Sequence, residues 1–89
     1  MTRLRLFTHP ICHGCAEALA LVERLIQEEP EMEVEVVSLA TPQGRALAQE
    51  AGVVIVPTIV VDGERFVGVP SWEELRALVQ RASRIGGAV

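Results

Sequence analysis

The sequence predicts an α/β fold, with one mixed four-stranded sheet carrying helices on both faces in the order β-α-β-α-β-β-α. Three observations predict it. Short strand-like and longer helix-like pieces alternate along the chain. Two β-rich runs near the end are separated only by Asp62-Gly63, a strong hairpin signal. The chain has 89 residues and is 49% hydrophobic, enough for one core in a single domain spanning 1–89.

The elements follow in order. Arg3 to Thr8 reads as a strand with Leu4 and Leu6 on one face. Residues 12–28 read as a helix, because Cys15, Leu19, Val22 and Ile26 recur at steps of four, three and four. Pro30 helps to stop it. Residues 32–38 alternate as a second strand, whose outward Glu33 and Glu35 suit a solvated sheet edge. Thr41-Pro42 is an N-cap followed by proline at the first helical position. That helix buries Leu47, Ala48 and Ala51 and ends at Gly52. Thr58 to Val61 and Glu64 to Val67 form the hairpin. Ser71-Trp72-Glu73-Glu74 is a capping box that opens the last helix, with Leu75, Leu78, Val79 and Ala82 on its apolar face. The tail from Ser83 to Val89 is expected to fray. The helix between the first two strands makes them parallel, with a right-handed crossover.

Composition narrows the partners. The formal charge is −4 and the basic residues are scattered arginines, so the sequence predicts no nucleic-acid binding. The N-terminus lacks the apolar h-region of a secretory signal, and the apolar stretch from Ala51 to Val61 is interrupted by Pro57 and too short to span a bilayer. A cytoplasmic monomer with no membrane partner is the expectation. In that compartment a C-x-x-C pair is expected to be catalytic or metal-binding rather than a structural staple.

Both cysteines fall in one short stretch, Cys12-His13-Gly14-Cys15, with Cys12 where the first helix begins and Cys15 one turn further in, on the same side. Unpartnered amides at a helix start, together with the macrodipole, favour an anion. A thiol placed there ionises more readily, and the thiolate is the nucleophile. Cys15 lies on the apolar stripe and is expected to be the more buried. Cys12 is therefore expected to attack a target disulfide and Cys15 to resolve the mixed disulfide. A protonated His13 beside Cys12 would stabilise the thiolate further. Gly14 sits in the helix interior on this reading, where it costs about 1 kcal/mol relative to alanine.

A wider constellation follows. Phe7-Thr8-x-Pro10-x-Cys12-x-x-Cys15, then Val56-Pro57-Thr58, then Asp62-Gly63 and Phe66-Val67-Gly68-x-Pro70-Ser71-x-Glu73-Glu74-Leu75 resemble the short glutaredoxin-like thioredoxins, from about residue 3 to 82. The resemblance implies a thioredoxin-like fold and a thiol–disulfide oxidoreductase that acts on protein disulfides and is served by an upstream reductase. It implies that Pro57 is cis and packs against the Cys12–Cys15 pair, and that the Val56 backbone pairs with a bound peptide or glutathione. Ile11, Val56, Pro57, Thr58 and Gly68 are its expected substrate-binding residues. No cofactor is implied beyond the redox-active disulfide. Thioredoxins usually carry Trp where Ile11 stands, Gly-Pro where His13-Gly14 stands, and a buried acid on the first strand, which here offers only Leu and Arg. Glutaredoxins usually carry a Gly-Gly-x-Asp-like stretch where this chain has Val67-Gly68-Val69-Pro70-Ser71.

Three alternatives stay open. The pair could belong to a carrier of zinc or an iron–sulfur cluster, since His9, Cys12, His13 and Cys15 lie close together. The chain could be a glutathione-dependent glutaredoxin, or a binding module without turnover. His9 reads as a loop residue, Trp72 as packing or cap, and Arg5 as a charge at the rim of the half-covered sheet face with its stem buried.

Overall fold

The computed structural model describes residues 3–87, the last five of them by backbone alone. The elements are β1 (Arg3–Thr8), α1 (Cys15–Glu28), β2 (Glu33–Ser38), α2 (Pro42–Ala51), β3 (Thr58–Val61), β4 (Glu64–Val67) and α3 (Trp72–Gly87). They form one 4-stranded sheet in the order β2-β1-β3-β4. β1 and β2 run parallel in the register Arg3 to Glu33 through Thr8 to Ser38, while β1–β3 and β3–β4 are antiparallel.

Alternation along the strands sorts the core into two layers. Leu4, Leu6, Ile59 and Val61 face one side and pack with Ala18, Val22 and Leu25 of α1 and Leu75, Leu78, Val79 and Ala82 of α3. On the other side Phe7 and Val37 meet Ala48 of α2 and Val53. Fully burying each large side chain contributes about 1.5–3 kcal/mol. α2 covers only the end of its face that holds Phe7. At the other end Arg5 lies with its side chain 30% exposed, its Nε 2.9 Å from a Glu35 carboxylate oxygen. Arg3 pairs with Glu33 in the same way at 3.3 Å. The edge strand β2 thus spends its outward acids on neutralising arginines of an interior strand.

Local chemistry sets the boundaries. Thr41 Oγ1 accepts the Gly44 amide at 2.9 Å, and Gly52 ends α2 at φ 72. Gly44 is buried against the Ser38 carbonyl, which leaves no space for a side chain. The Ser71 hydroxyl accepts the Glu74 amide at 3.0 Å, and a Glu74 carboxylate oxygen accepts the Ser71 amide at 2.8 Å, closing the capping box. In the hairpin turn the positive φ falls on Asp62, at 52°.

Four expectations are corrected. α1 begins at Cys15, not residue 12, because Gly14 adopts the N-cap conformation (φ −147, ψ −8) and the chain before it turns. Gly14 therefore lies outside the helix interior and carries no interior penalty. The buried face of α1 is Cys15, Ala18, Val22 and Leu25, with Leu19 half-buried and Ile26 37% exposed. The stripe is rotated because the small Ala18 allows closer approach to the sheet. Finally, α3 continues to Gly87 through most of the tail expected to fray, of which residues 88–89 lie outside the described residues.

Candidate active site

The site lies beyond the end of β1, where the chain leaves the sheet and before α1 begins. Cys12 and Cys15 are joined by a disulfide, with Cα atoms 5.5 Å apart. The bridge spans the helix start rather than lying on one helical turn. Cys12 sits in the approach loop and Cys15 is the first helical residue. Cys15 is 7% exposed and Cys12 is half-buried, so a partner reaches Cys12 more easily.

The approach loop is short and fastened. The Cys12 amide donates to the His9 carbonyl at 3.0 Å, and the Ile11 amide donates to Nδ1 of the His9 ring at 3.1 Å. Gly14 has no side chain with which to cap α1. Its carbonyl takes the first intrahelical bond, from Ala18 at 2.9 Å, while the amides of the first turn make no hydrogen bond among the described residues.

A second loop closes over the first. The Val56–Pro57 peptide is cis. A Cβ placed on Gly14 would lie 3.7 Å from Pro57 Cδ and 2.7 Å from Val69 Cγ2. Gly14 is thus the point of contact between the cysteine loop, the proline loop and the segment after β4. The Pro57 carbonyl accepts the Gly68 amide at 2.8 Å, and Gly68 holds φ 97, a conformation that favours glycine. Thr58 is buried, and its hydroxyl donates to the Ile55 carbonyl. The backbone groups of Val56 make no hydrogen bond among the described residues.

The residues named from sequence sort as follows. Cys12, Cys15, Pro57 and Gly68 come to one end of the sheet, linked through Gly14. Thr58 is interior and supports the proline loop from below. Val56 is half-buried, with its side chain in the second core layer. Ile11 is 82% exposed. His13 is exposed, with no hydrogen bond or ion pair among the described residues. No three His, Cys, Asp or Glu side chains among the described residues converge as a metal ion would require. Cys12 and Cys15 are engaged in the disulfide, and the His9 ring is turned onto the Ile11 amide.

Sequence reasoning missed three contributors. His9 holds the loop, which only its place two residues before Ile11 could have hinted. Val69 packs over Gly14. Val54 and Ile55 are 88% and 57% exposed beside the proline loop, an apolar pair outside any strand. No helix among the described residues is long and apolar enough to cross a membrane.

Comparison with known proteins bears on this geometry. Residues 3–80 match the family described as thioredoxin domain. A thioredoxin from Methanocaldococcus jannaschii is 35% identical over 80 residues, covering 89% of this chain and 93% of that protein. The X-ray structure of Fasciola hepatica thioredoxin superposes with a TM-score of 0.79 at 29% identity, covering 91% of this chain and 80% of that one. The short form of thioredoxin f from spinach chloroplast shares the fold at TM-score 0.81 and 18% identity, over 92% of this chain and 76% of that one.

Proposed function

This chain belongs to the thioredoxin family and is a protein-disulfide oxidoreductase, and from that premise we propose that Cys12 is the attacking sulfur and Cys15 the resolving one. The observation that carries this reading is the disulfide itself, which joins a half-buried Cys12 to a buried Cys15.

In the reduced protein, the open first-turn amides of α1 favour a thiolate on Cys12. That thiolate attacks one sulfur of a target disulfide. A mixed disulfide forms, and the target's other sulfur leaves as a thiolate and takes a proton. Cys15 then loses its proton and attacks the Cys12 sulfur. The Cys12–Cys15 bond forms and the target's second thiol departs. The target gains two electrons and the protein becomes the disulfide described above. A reductase returns two electrons and two protons to complete the cycle.

Docking uses the rim around Cys12. The unpaired amide and carbonyl of Val56 suit an extended peptide laid beside the proline loop. Exposed Ile11, Val54 and Ile55 offer apolar contact to its side chains. A protein disulfide, which has main chain on both sides of its sulfurs, exploits both features, whereas glutathione is a smaller fit for them. The protein acts as a monomer on this reading, and His13 contributes only electrostatically.

Single-cysteine variants test the assignment. Cys12→Ser should lose all reduction of a protein disulfide. Cys15→Ser should accumulate a covalent complex with the target that dithiothreitol releases. Sustained turnover by Cys15→Ser with glutathione would mean monothiol chemistry and remove Cys15 from its role.

A further inference from the structure

We propose that His9 is a positioning residue for disulfide exchange, its imidazole holding the turn that delivers Cys12 to Cys15. Two amides of the approach loop end on this one residue. Cys12 N–H reaches the His9 carbonyl at 3.0 Å, closing a turn of four residues with Pro10 at its second position. Ile11 N–H reaches His9 Nδ1 at 3.1 Å. An amide can only donate, so Nδ1 is the acceptor and carries no proton in this arrangement. The geometry is that of an Asx turn, in which a side-chain acceptor takes the amide two residues on. Pro10 fixes one dihedral of the turn, and the ring holds the peptide that follows it.

The consequence for chemistry is an effective concentration. A turn already formed in the dithiol keeps Cys12 near Cys15, and the intramolecular disulfide forms at lower entropic cost. Without the ring acceptor, the Ile11 amide turns to water and the loop explores more conformations. The disulfide then forms less readily, and the couple becomes more oxidising. One neutral hydrogen bond of net worth about 0.5–1.5 kcal/mol corresponds to a change of roughly twofold to tenfold in that equilibrium.

The test is the equilibrium in which protein dithiol and glutathione disulfide give protein disulfide and two glutathione thiols. His9→Ala should shift it toward the protein dithiol by about threefold or more, within the span one hydrogen bond allows. His9→Asn restores an acceptor in Asx geometry and should lie within about twofold of the unsubstituted protein. His9→Phe keeps ring bulk without the acceptor, should follow alanine, and decides the matter if the alanine variant does not fold. Equal equilibria for the unsubstituted protein and the phenylalanine variant overturn the proposal. So does an asparagine variant displaced as far as the others. The rate consequences rest on Cys12 as the attacking sulfur, but this equilibrium does not depend on which sulfur attacks. A normal equilibrium insensitive to His9 therefore sinks only the positioning role, while absence of any exchange in the unsubstituted protein sinks the reading under Proposed function.

Discussion

Gly14 faces Val69 so closely that a Cβ on the former would stand 2.7 Å from Cγ2 of the latter. The contact seats the cysteine loop on the segment between β4 and α3, and only a residue without a side chain permits it. Gly14→Ala should destabilise the protein by about 1–3 kcal/mol, combining overpacking with a poorer N-cap. In a Val69→Ala background the steric part should vanish and the cap part remain. A double-mutant cycle measured by denaturant unfolding reads the difference. Additive effects in that cycle would mean the two residues do not press on each other.

Arg65 reaches from β4 to the carbonyls of Ala51 and Gly52, at the negative end of α2. These are the last carbonyls before the segment that carries Pro57. Arg65→Ala should cost about 1 kcal/mol, since the side chain is exposed and solvent screens its charge. Amide hydrogen exchange should speed up at Val53, whose amide donates to the Ala48 carbonyl at 2.8 Å. Unchanged exchange there would show that the arginine merely rests on the surface.

Ile11 and Ile55 are exposed large hydrophobics flanking the two loops of the site, at 82% and 57%. Ile11→Ser and Ile55→Ser should each raise KM for a protein disulfide by roughly fivefold to tenfold, as loss of a moderate contact implies. Turnover of a small aromatic disulfide should be unaffected. A matching loss on the small disulfide would place these residues in the chemistry rather than in docking.

The Cys12–Cys15 bridge closes a short loop, with a sequence separation of 3. Loop-closure entropy for so short a span gives about 2 kcal/mol of stabilisation. Thermal unfolding with and without reductant should differ by roughly 10 °C for a chain of this size, the disulfide form melting higher. A dithiol form of equal or greater melting temperature would contradict a purely entropic account.

Element order and the hairpin were legible because they depend on local signals. Thr41 with Pro42, Gly52, Ser71 with Glu74, and Asp62-Gly63 each act within a few residues. The start of α1 was not legible, since nothing local tells whether Gly14 continues a helix or caps it. Its contact with Val69, far along the chain, settles that position. Periodicity located a stripe on α1 but not its centre. Ala18 rather than Leu19 meets the sheet because side-chain size governs how closely the layers approach. Of the site, the cysteine pair and the proline loop were visible as motifs. The roles of His9, Val69 and Arg65 arise from contacts that carry no pattern in sequence.

The paired charges Arg3 with Glu33 and Arg5 with Glu35 lie toward the start of β1, while the disulfide follows its end. The molecule is therefore lengthwise two-sided, with an oily prow at the sulfurs and a hydrated stern. A client protein that slides onto the wrong pole meets ions it would have to strip of water. The bare half of the sheet, unroofed by any helix among the described residues, thus presents paired charges rather than the apolar rim that a client's side chains could enter.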